Sequence, residues 1–245
     1  MIKLITIDFW NTLYDSSNGM NRNALRQHTM FEEIAKHGYN VSNEEYEQAL
    51  NASWEFFNDL WVNQQRTPLT EETIEFFWQY LNLPYDDYSI GRIAKVFKDS
   101  ILDYPPKLMS GVKEFLEQYH NDMKFGLISD TGFTPGSILV ELMEIDGIAQ
   151  YFSAFSFSDE TGVSKPNPIA FNKILNTLNI NPDEALHIGD IEKTDVIGAK
   201  EIGMRTIRFD GDKSSNMMKD NPKDTIANFR CNTWYDINFI ISRIK

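Results

Sequence analysis

The sequence is poor in cysteine and has no long hydrophobic run. Cys231 is the only cysteine among 245 residues, which excludes an intrachain disulfide and any metal cluster held by cysteines. No stretch approaches the roughly 20 consecutive apolar residues that a membrane-spanning helix needs. The N-terminal residues MIKLITIDFW also lack the small-residue cleavage site of a signal peptide. We therefore expect a cytoplasmic protein with no membrane partner.

Positive charge is also scarce, because 23 lysines and arginines face 36 aspartates and glutamates. The net charge of −13 argues against nucleic acid as a partner, since surfaces that bind nucleic acid are basic. An anionic small molecule could bind only where a cation offsets the negative field, so a metal ion is worth seeking. Hydrophobic residues make up 42% of the chain, which is enough for a folded globular protein. Nothing in the sequence indicates the oligomeric state.

Five short apolar runs end on, or one residue before, a polar group. They are KLITID (3–8), KFGLISD (124–130), AFSFSD (154–159), ALHIGD (185–190) and RTIRFD (205–210). Segments with helical periodicity lie between them, at 111–119, 135–145, 166–178 and 195–202. This alternation predicts parallel strands in an open α/β sheet. In such a sheet the active site lies beyond the carboxyl ends of the strands, where the acids of these runs fall.

Residues 16–105 break this alternation with four helix-period segments in succession. Within them Ser42 and Glu45 match a capping box, and Gly38 marks a helix end. We interpret 16–105 as an all-helical domain inserted into an α/β core that comprises residues 1–15 and 106–245.

Aromatic residues are frequent in the inserted stretch. We interpret the stripe that includes Tyr46, Phe57 and Trp61 as core packing of the helical domain rather than as a cofactor site. Residues 210–224 are polar and contain one proline and one glycine, so we predict a surface loop there.

Three aspartates at predicted strand ends are candidates for chemistry. Asp8 ends the first apolar run, Asp190 ends the fourth, and Asp195 opens the helical segment that follows. A single aspartate at such a place is usually a cap or turn residue, but three converging on one cleft suit a metal site. Oxygen donors of this kind favour Mg²⁺, which takes a few carboxylates together with water and substrate phosphate. Asp8 could also act as a nucleophile.

Two further polar residues complete the candidate site. Lys165 precedes Pro166 in a loop just ahead of a helical segment, and Ser129 is a hydroxyl donor at a strand end. Most lysines are solvated surface groups, but here Mg²⁺ and Lys165 together would cancel the three negative charges. The site would then be neutral in an acidic protein.

Taken in order, D-F-W-N-T-L, L-I-S-D, S-K-P and G-D-I-E-K-T-D resemble the four motifs of the haloacid dehalogenase-like hydrolase superfamily. The resemblance spans the whole chain, and residues 16–105 stand where members carry an α-helical cap. It implies a Rossmann-like core with that cap, a nucleophilic aspartate and, in most members, Mg²⁺-dependent phosphoryl transfer on a small phosphorylated metabolite.

The resemblance also implies roles for individual residues. Asp8 would attack phosphorus to give an aspartyl-phosphate, while Ser129 and Lys165 would hold the transferring oxygens. Asp190 would bind Mg²⁺ together with Asp8 and the backbone carbonyl of Trp10. Asp195 would support the metal through water or orient Lys165.

Trp10 departs from the pattern of the family's phosphatases, which usually carry a second aspartate there as general acid and base. Tryptophan cannot transfer a proton, so a phosphatase with Trp10 is expected to favour good leaving groups, unless another acid such as Asp15 protonates the leaving group. An aromatic residue at this position resembles the haloacid dehalogenases, in which the same aspartate attacks carbon. For that chemistry Arg22 or Arg26 could bind the carboxylate of a haloacid.

Three functions follow from these residues. A Mg²⁺-dependent phosphatase is favoured, because Asp190 is a metal ligand that a dehalogenase does not need. A 2-haloacid dehalogenase is the first alternative. The second is a catalytically weak binding protein on the same fold, which the four retained polar positions disfavour.

Overall fold

The fold is described from a computed structural model, which describes residues 1–212 and 221–244. Its centre is a six-stranded sheet in the order β3-β2-β1-β4-β5-β6, with every pair of neighbours parallel. The strands are Leu4–Ile7 (β1), Lys124–Ser129 (β2), Phe152–Phe157 (β3), Ala185–Gly189 (β4), Arg205–Phe209 (β5) and Phe229–Cys231 (β6). The strand order reverses at β1, because β2 and β4 lie on opposite sides of it. A crevice therefore opens beyond the carboxyl end of β1.

Helices cover both faces of the sheet and form a separate layer above it. The helices of the inserted stretch are Gly19–Lys36 (α1), Asn43–Asn58 (α2), Thr70–Tyr80 (α3) and Asp87–Asp103 (α4). Those of the α/β part are Val112–Tyr119 (α5), Gly136–Ile145 (α6), Ser158–Thr161 (α7), Pro168–Leu178 (α8), Ile197–Glu201 (α9) and Trp234–Ile244 (α10). One-turn π-helical segments extend α2 at Asp59–Asn63 and precede α9 at Glu192–Val196.

Hydrophobic clusters lie on both faces of the sheet, and residues of β1 contribute to each of them. Ile5 and Ile7 belong to a cluster that includes residues of α5, α6 and α10. Leu4 belongs to the opposite cluster, in which Phe171 and Ile174 of α8 are buried. Since both faces are covered, β1 is fully buried, which explains its continuous apolar sequence.

The inserted helices have a hydrophobic cluster largely of their own. It is formed by buried residues of α1 to α4 and the chain just after α3, and its members are Met30, Ile34, Tyr46, Ala49, Ile74, Phe77, Trp78, Leu83, Ile90, Ile93, Ala94 and Phe97. The capping box of α2 is present, because Ser42 accepts the N–H of Glu45 and the Glu45 carboxylate accepts the N–H of Ser42. Gly38 lies just beyond α1 at a positive φ of 77°, a conformation that glycine adopts without strain.

The chain segments that lead into and out of these helices are connected by hydrogen bonds. The backbone N–H of Asp15 donates to the carbonyl of Lys107 at 2.9 Å. Asp15 Oδ1 accepts the N–H of Lys107 at 2.9 Å and the N–H of Ser17 at 3.0 Å. The Arg22 guanidinium donates to the carbonyls of Ser17 and Tyr104 at 2.9 and 2.7 Å. Asp15 therefore has a structural role at this junction.

The predicted fold class, a Rossmann-like parallel sheet with inserted helices, is confirmed. All five predicted strands are present, and the sequence reasoning missed β6 and α10, whose segments come after the last recognised motif. The division of the chain at residues 15/16 and 105/106 stays a prediction. Of the loop predicted at 210–224, residues 213–220 lie outside the described part of the chain, and the flanking residues contain no helix or strand. Within the described residues, no helix combines the length and apolarity needed to cross a membrane.

Candidate active site

Asp8 is the first residue beyond β1, at the point where the strand order reverses. Its backbone N–H donates to the carbonyl of Ile188 in β4 at 2.9 Å, which extends the sheet ladder by one residue. Its side chain is buried, with Oδ1 at 2.5 Å from Lys165 Nζ. Burial raises the pKa of Asp8 to about 7, against the opposing attraction of Lys165. The carboxylate that the sequence predicted as nucleophile is thus enclosed and in contact with a cation.

Residues 9–14 form a tight turn directly after Asp8, in which the N–H groups of Leu13 and Tyr14 both donate to the carbonyl of Phe9. Asn11 occupies the left-handed region of backbone space, with φ at 57°, which asparagine tolerates better than most residues. This conformation brings its amide Nδ2 to 3.2 Å from Asp190 Oδ2. The sequence reasoning assigned no role to Asn11, although its type in a turn was the available signal.

Lys165 lies between two carboxylates in the interior. Its Nζ donates to Asp8 Oδ1 at 2.5 Å and to Asp195 Oδ1 at 2.6 Å, and the carbonyl of Ile128 is 3.3 Å away. Burial opposes the charge on Lys165, but Asp195 and Asp8 outweigh it and raise the pKa of the ammonium. Lys165 is therefore a fixed cation beside the candidate nucleophile.

Asp195 lies in the π-helical segment before α9, and both of its oxygens have partners. Oδ1 accepts hydrogen bonds from Lys165 and His187, and Oδ2 accepts the backbone N–H of Ile191 at 3.0 Å. Burial disfavours the charge of Asp195, but Lys165 and His187 together outweigh it and lower the pKa of this carboxyl group. Asp195 is thus in direct contact with Lys165. Its predicted roles, support of the metal through water or orientation of Lys165, stay predictions.

Gly189 permits this arrangement, because a Cβ at its position would lie 2.3 Å from Asp195 Cγ.

His187 connects Asp195 to β1. Its Nε2 lies 3.0 Å from Asp195 Oδ1, and its Nδ1 lies 2.9 Å from Thr6 Oγ1. The ring is fully buried, and burial lowers its pKa despite the attraction of Asp195. The sequence reasoning missed His187, because a histidine inside an apolar strand has no distinctive pattern.

Asp190 follows β4 and lies beside Asp8 at the same edge of the sheet. Its Oδ2 accepts the Asn11 amide, and its backbone carbonyl accepts Asn221 Nδ2 at 2.6 Å. Burial and then repulsion from Asp8 raise its pKa well above the ordinary value. A cation bound between these two buried carboxylates would relieve the repulsion between their negative charges. The residues therefore fit Mg²⁺, with oxygen donors only and room left for other ligands.

Histidine, cysteine, aspartate and glutamate do not gather in threes as metal ligands anywhere in residues 1–212 and 221–244. A metal at Asp8 and Asp190 would thus rely on a backbone carbonyl, water and substrate for its remaining ligands, which is usual for Mg²⁺.

Ser129 is the last residue of β2, and its side chain is buried. Its hydroxyl has no hydrogen-bond partner within the described part of the chain. The next residue, Asp130, accepts the backbone N–H of Lys165 on Oδ1 and the indole N–H of Trp61 on Oδ2, both at 2.9 Å. Sequence reasoning assigned no function to Asp130, which contacts both the lysine loop and the inserted helices.

A cavity of about 900 Å³ opens above these groups, between the sheet edge and the inserted helices. Asp8, Lys165, Asp190 and Asp195 lie in its lining, and Trp10 faces it from the core side. Ser129 does not appear among the lining residues, and neither does Asp15, the alternative acid.

Three aromatic residues from the inserted stretch line the opposite side of this cavity. They are Trp54, Phe57 and Trp61, which we call the aromatic wall. The interpretation of the aromatic stripe as core packing is correct for Tyr46, which is buried in the helical cluster, but wrong for Phe57 and Trp61. Helical periodicity could not distinguish Tyr46 from Phe57 and Trp61. The residues share one pattern, but the first packs in the helical cluster and the other two line the cavity.

The arginines considered as carboxylate ligands are engaged elsewhere. Arg22 donates to the carbonyls at the junction, and Arg26 donates to Ser100 Oγ and the Phe97 carbonyl. Arg26 also stacks over the ring of Phe133, with its Cζ at 4.9 Å from the ring centroid. Neither arginine lines the cavity.

Comparison with known proteins agrees with this architecture. A sequence model described as haloacid dehalogenase-like hydrolase matches residues 2–203. The chain belongs to the haloacid dehalogenase-like hydrolases. It is therefore a hydrolase, as the four motifs predicted.

Two relatives of this hydrolase are named as phosphatases. Glyceraldehyde 3-phosphate phosphatase of Pyrococcus abyssi is 26% identical over 209 residues, which cover 85% of this chain and 82% of the relative. Phosphoglycolate phosphatase of Vibrio parahaemolyticus is 33% identical over 93 residues, which cover 38% of this chain and 39% of the relative.

Solved structures of the same family are similar over the whole hydrolase. A 2-haloacid dehalogenase from Pseudomonas syringae superposes with a TM-score of 0.75 at 20% identity and covers 100% of both chains. A phosphatase from Thermococcus onnurineus gives a TM-score of 0.66 at 20% identity and covers 98% of both chains. At such identities these likenesses establish the fold and leave the substrate open.

Proposed function

We propose that this hydrolase is a Mg²⁺-dependent phosphatase that acts on a small phosphate ester through an aspartyl-phosphate on Asp8. The observation that carries the proposal is the pairing of Asp8 and Asp190 at the ends of adjacent strands, with Lys165 in contact with Asp8. A dehalogenation at carbon has no need of the second carboxylate. Two relatives named as phosphatases add support.

Mg²⁺ would be held by Asp8, by Asp190 and by the backbone carbonyl of Trp10. When bound, it would supply positive charge that offsets the two carboxylates and the phosphate oxygens. The Asn11 amide donates to Oδ2 of Asp190 and so restricts the rotamer of this carboxylate. The other oxygen, Oδ1, is then left for the metal.

The chain's own residues would perform the transfer. An oxygen of Asp8 attacks phosphorus, an O–P bond forms, and the bond from phosphorus to the leaving oxygen breaks. Lys165 balances the charge of the transferring group. The Ser129 hydroxyl, which is buried just behind the cavity lining and has no hydrogen-bond partner among the described residues, would donate to one of its oxygens. Water then hydrolyses the aspartyl-phosphate and releases inorganic phosphate. Asp195 acts on Lys165 rather than on the phosphate, since its carboxylate accepts a hydrogen bond from the Lys165 ammonium, and His187 in turn donates to Asp195.

The dehalogenase alternative depends on Trp10, because an aromatic residue there leaves the enzyme without the usual general acid. Against it stand Asp190 and the engagement of Arg22 and Arg26 with backbone carbonyls, which leaves those guanidinium groups outside the cavity.

A substrate screen separates the alternatives. Phosphate esters, acyl phosphates and 2-haloacids are incubated with the protein, with Mg²⁺ or with a chelator, and released phosphate and halide are measured. We expect phosphate release that requires Mg²⁺. Halide release in the presence of chelator, without phosphate release, would replace the proposal by the dehalogenase, and release of neither would favour a binding protein.

A further inference from the structure

The aromatic wall faces the cavity with three large rings. Trp54 and Phe57 lie on α2, and Trp61 lies in the π-helical segment that extends it. Their spacings of three and four residues put them on one side of the helix. Neighbouring ring centroids are 5.8 and 6.2 Å apart, so the rings form a continuous surface. Trp54 is 46% exposed, which is unusual for so large an apolar side chain.

The inserted helices do not need these rings for their own core. Their buried cluster is formed by other residues, among them Tyr46, Phe77 and Trp78, and the aromatic wall lies outside it. Phe57 and Trp61 are half-buried and Trp54 is exposed, and a contiguous apolar surface that is partly open to solvent usually marks a binding site. Because the wall stands opposite Asp8 across one cavity, its ligand would be the part of the substrate beyond the phosphate.

Charges in the cavity restrict that part of the substrate. The described lining contains the carboxylates of Asp8, Asp130, Asp190 and Asp195, while Lys165 is the one basic side chain among those lining residues. Lys165 already contacts Asp8 and Asp195. Uncharged polar residues such as Ser17, Asn18 and Asn21 also line the cavity, but they carry no positive charge. A second anionic group on the substrate would therefore be buried without a counter-charge, which is costly.

We propose that the substrate carries an uncharged, flat apolar group, such as an aromatic ring, which stacks on Trp54, Phe57 and Trp61 while the phosphate lies at Asp8. This inference rests on the phosphatase proposed above and narrows its substrate class. It excludes esters whose remaining part is a carboxylate or a second phosphate.

Trp10 supports the same substrate class from a different direction. In the absence of a general acid at position 10, the leaving oxygen must depart without a proton, and an aryl oxygen does so more readily than an alkyl oxygen. Recognition by the wall and chemistry at Asp8 therefore favour the same kind of ester.

Matched esters test the charge requirement. The 3-carbamoylphenyl and 3-carboxyphenyl phosphates are similar in size, but only the second carries an additional negative charge. We expect kcat/KM for the carbamoyl ester to be higher by about tenfold or more, since the carboxylate would be desolvated without a partner. Equal values, or a preference for the carboxylate, would overturn the inference.

Binding of non-hydrolysable analogues keeps the test independent of turnover. Quenching of tryptophan fluorescence is measured with phenylphosphonate, 3-carboxyphenylphosphonate and methylphosphonate in the presence of Mg²⁺. Phenylphosphonate should bind at least several-fold more tightly than the other two, because stacking on aromatic rings adds to the phosphonate contact. If no ester is hydrolysed but this order holds, the proposed function fails, while stacking of an uncharged ring on the wall is still supported. Indistinguishable affinities would refute the inference even in an active phosphatase.

Variants locate the effect on the wall. Trp54→Ala and Phe57→Leu should reduce the ratio of kcat/KM for 1-naphthyl phosphate to that for acetyl phosphate, which carries no ring to stack on the wall. Tyr80→Ala is the control, since Tyr80 is also 46% exposed on α3 but does not line the cavity. Circular dichroism establishes that each variant is folded. A ratio unchanged in both folded wall variants would contradict stacking.

Discussion

The indole Nε1 of Trp61 donates a 2.9 Å hydrogen bond to Oδ2 of Asp130, whose other oxygen accepts the backbone N–H of Lys165. One carboxylate therefore joins the inserted helices to the loop that carries the candidate phosphate-binding lysine. A second contact lies close by, where the N–H of Ser164 donates to the carbonyl of Gln65 at 2.7 Å. Opening of the inserted helices would have to break both contacts.

The exchange Trp61→Phe should weaken this connection while keeping an aromatic ring. We expect the free energy of unfolding, measured by urea titration, to fall by about 1 kcal/mol, the typical net value of one hydrogen bond. Trp54→Phe is the matched control, because it changes the same wall without removing the bond to Asp130. Equal losses in the two variants would show that the hydrogen bond contributes nothing specific.

Replacing the candidate nucleophile by its amide, Asp8→Asn, should abolish phosphate release without unfolding the protein. The amide is nearly isosteric, but it is neither a nucleophile nor an anionic metal ligand. Turnover should fall by about 10³-fold or more, as is usual when a nucleophile is lost. Far-ultraviolet circular dichroism should be unchanged. Turnover above roughly a tenth of the parent rate would exclude covalent catalysis by Asp8.

Mg²⁺ binding should depend on Asp190. In Asp190→Asn one of the two facing carboxylates is neutral, so the cation gains less from relieving their repulsion. Isothermal titration calorimetry should show a loss of affinity of about tenfold or more. Asp103→Asn, at an exposed position on α4, should bind as the parent does. If Asp190→Asn retains the parent affinity, the metal lies elsewhere.

Trp10→Asp tests whether the parent enzyme expels the leaving group without a general acid. In the parent, kcat/KM should rise steeply as the leaving group improves, so aryl and acyl phosphates should exceed alkyl phosphates. The variant should recover part of the ~10²–10⁴-fold contribution of proton transfer for the alkyl esters. A leaving-group series measured on both proteins provides the comparison. A flat series in the parent would mean that protonation comes from elsewhere.

Gly189→Ala should disturb the site through Asp195. The added Cβ would lie 2.3 Å from Asp195 Cγ, so the carboxylate must move away from Lys165 and His187. We expect a fall in kcat of about tenfold or more, since small displacements of positioning groups are costly in catalysis. Gly91→Ala is the control. Gly91 lies in α4 with no atom near its would-be Cβ, and alanine there should stabilise by about 0.5–1 kcal/mol. Full activity in Gly189→Ala would show that Asp195 is not critically placed.

The sheet was predictable from the sequence because its strands are short, apolar and bounded by polar groups. The same rule predicted that Asp8 and Asp190 lie together, since they end adjacent parallel strands. It could not predict Asn11 or His187, whose contacts depend on the left-handed turn and on strand register.

The aromatic wall was missed for a related reason. Tyr46 and Phe57 belong to one helix-period pattern, but the pattern does not indicate which partner each residue faces. Similarly, β6 and α10 contain no motif, and their places follow from packing at the far edge of the sheet.

The position of β1 in the sheet has a consequence for folding during synthesis. β1 precedes the other strands of the sheet in the chain, yet its two neighbours are β2 at Lys124–Ser129 and β4 at Ala185–Gly189. The apolar residues of β1 therefore lack one of their two partner strands until most of the chain has been synthesised. The four inserted helices pack mainly on one another and can collapse earlier, since local contacts form faster than distant ones. The edge of the sheet that carries Asp8 is thus among the last parts of the molecule to assemble, although β1 is translated before the other five strands.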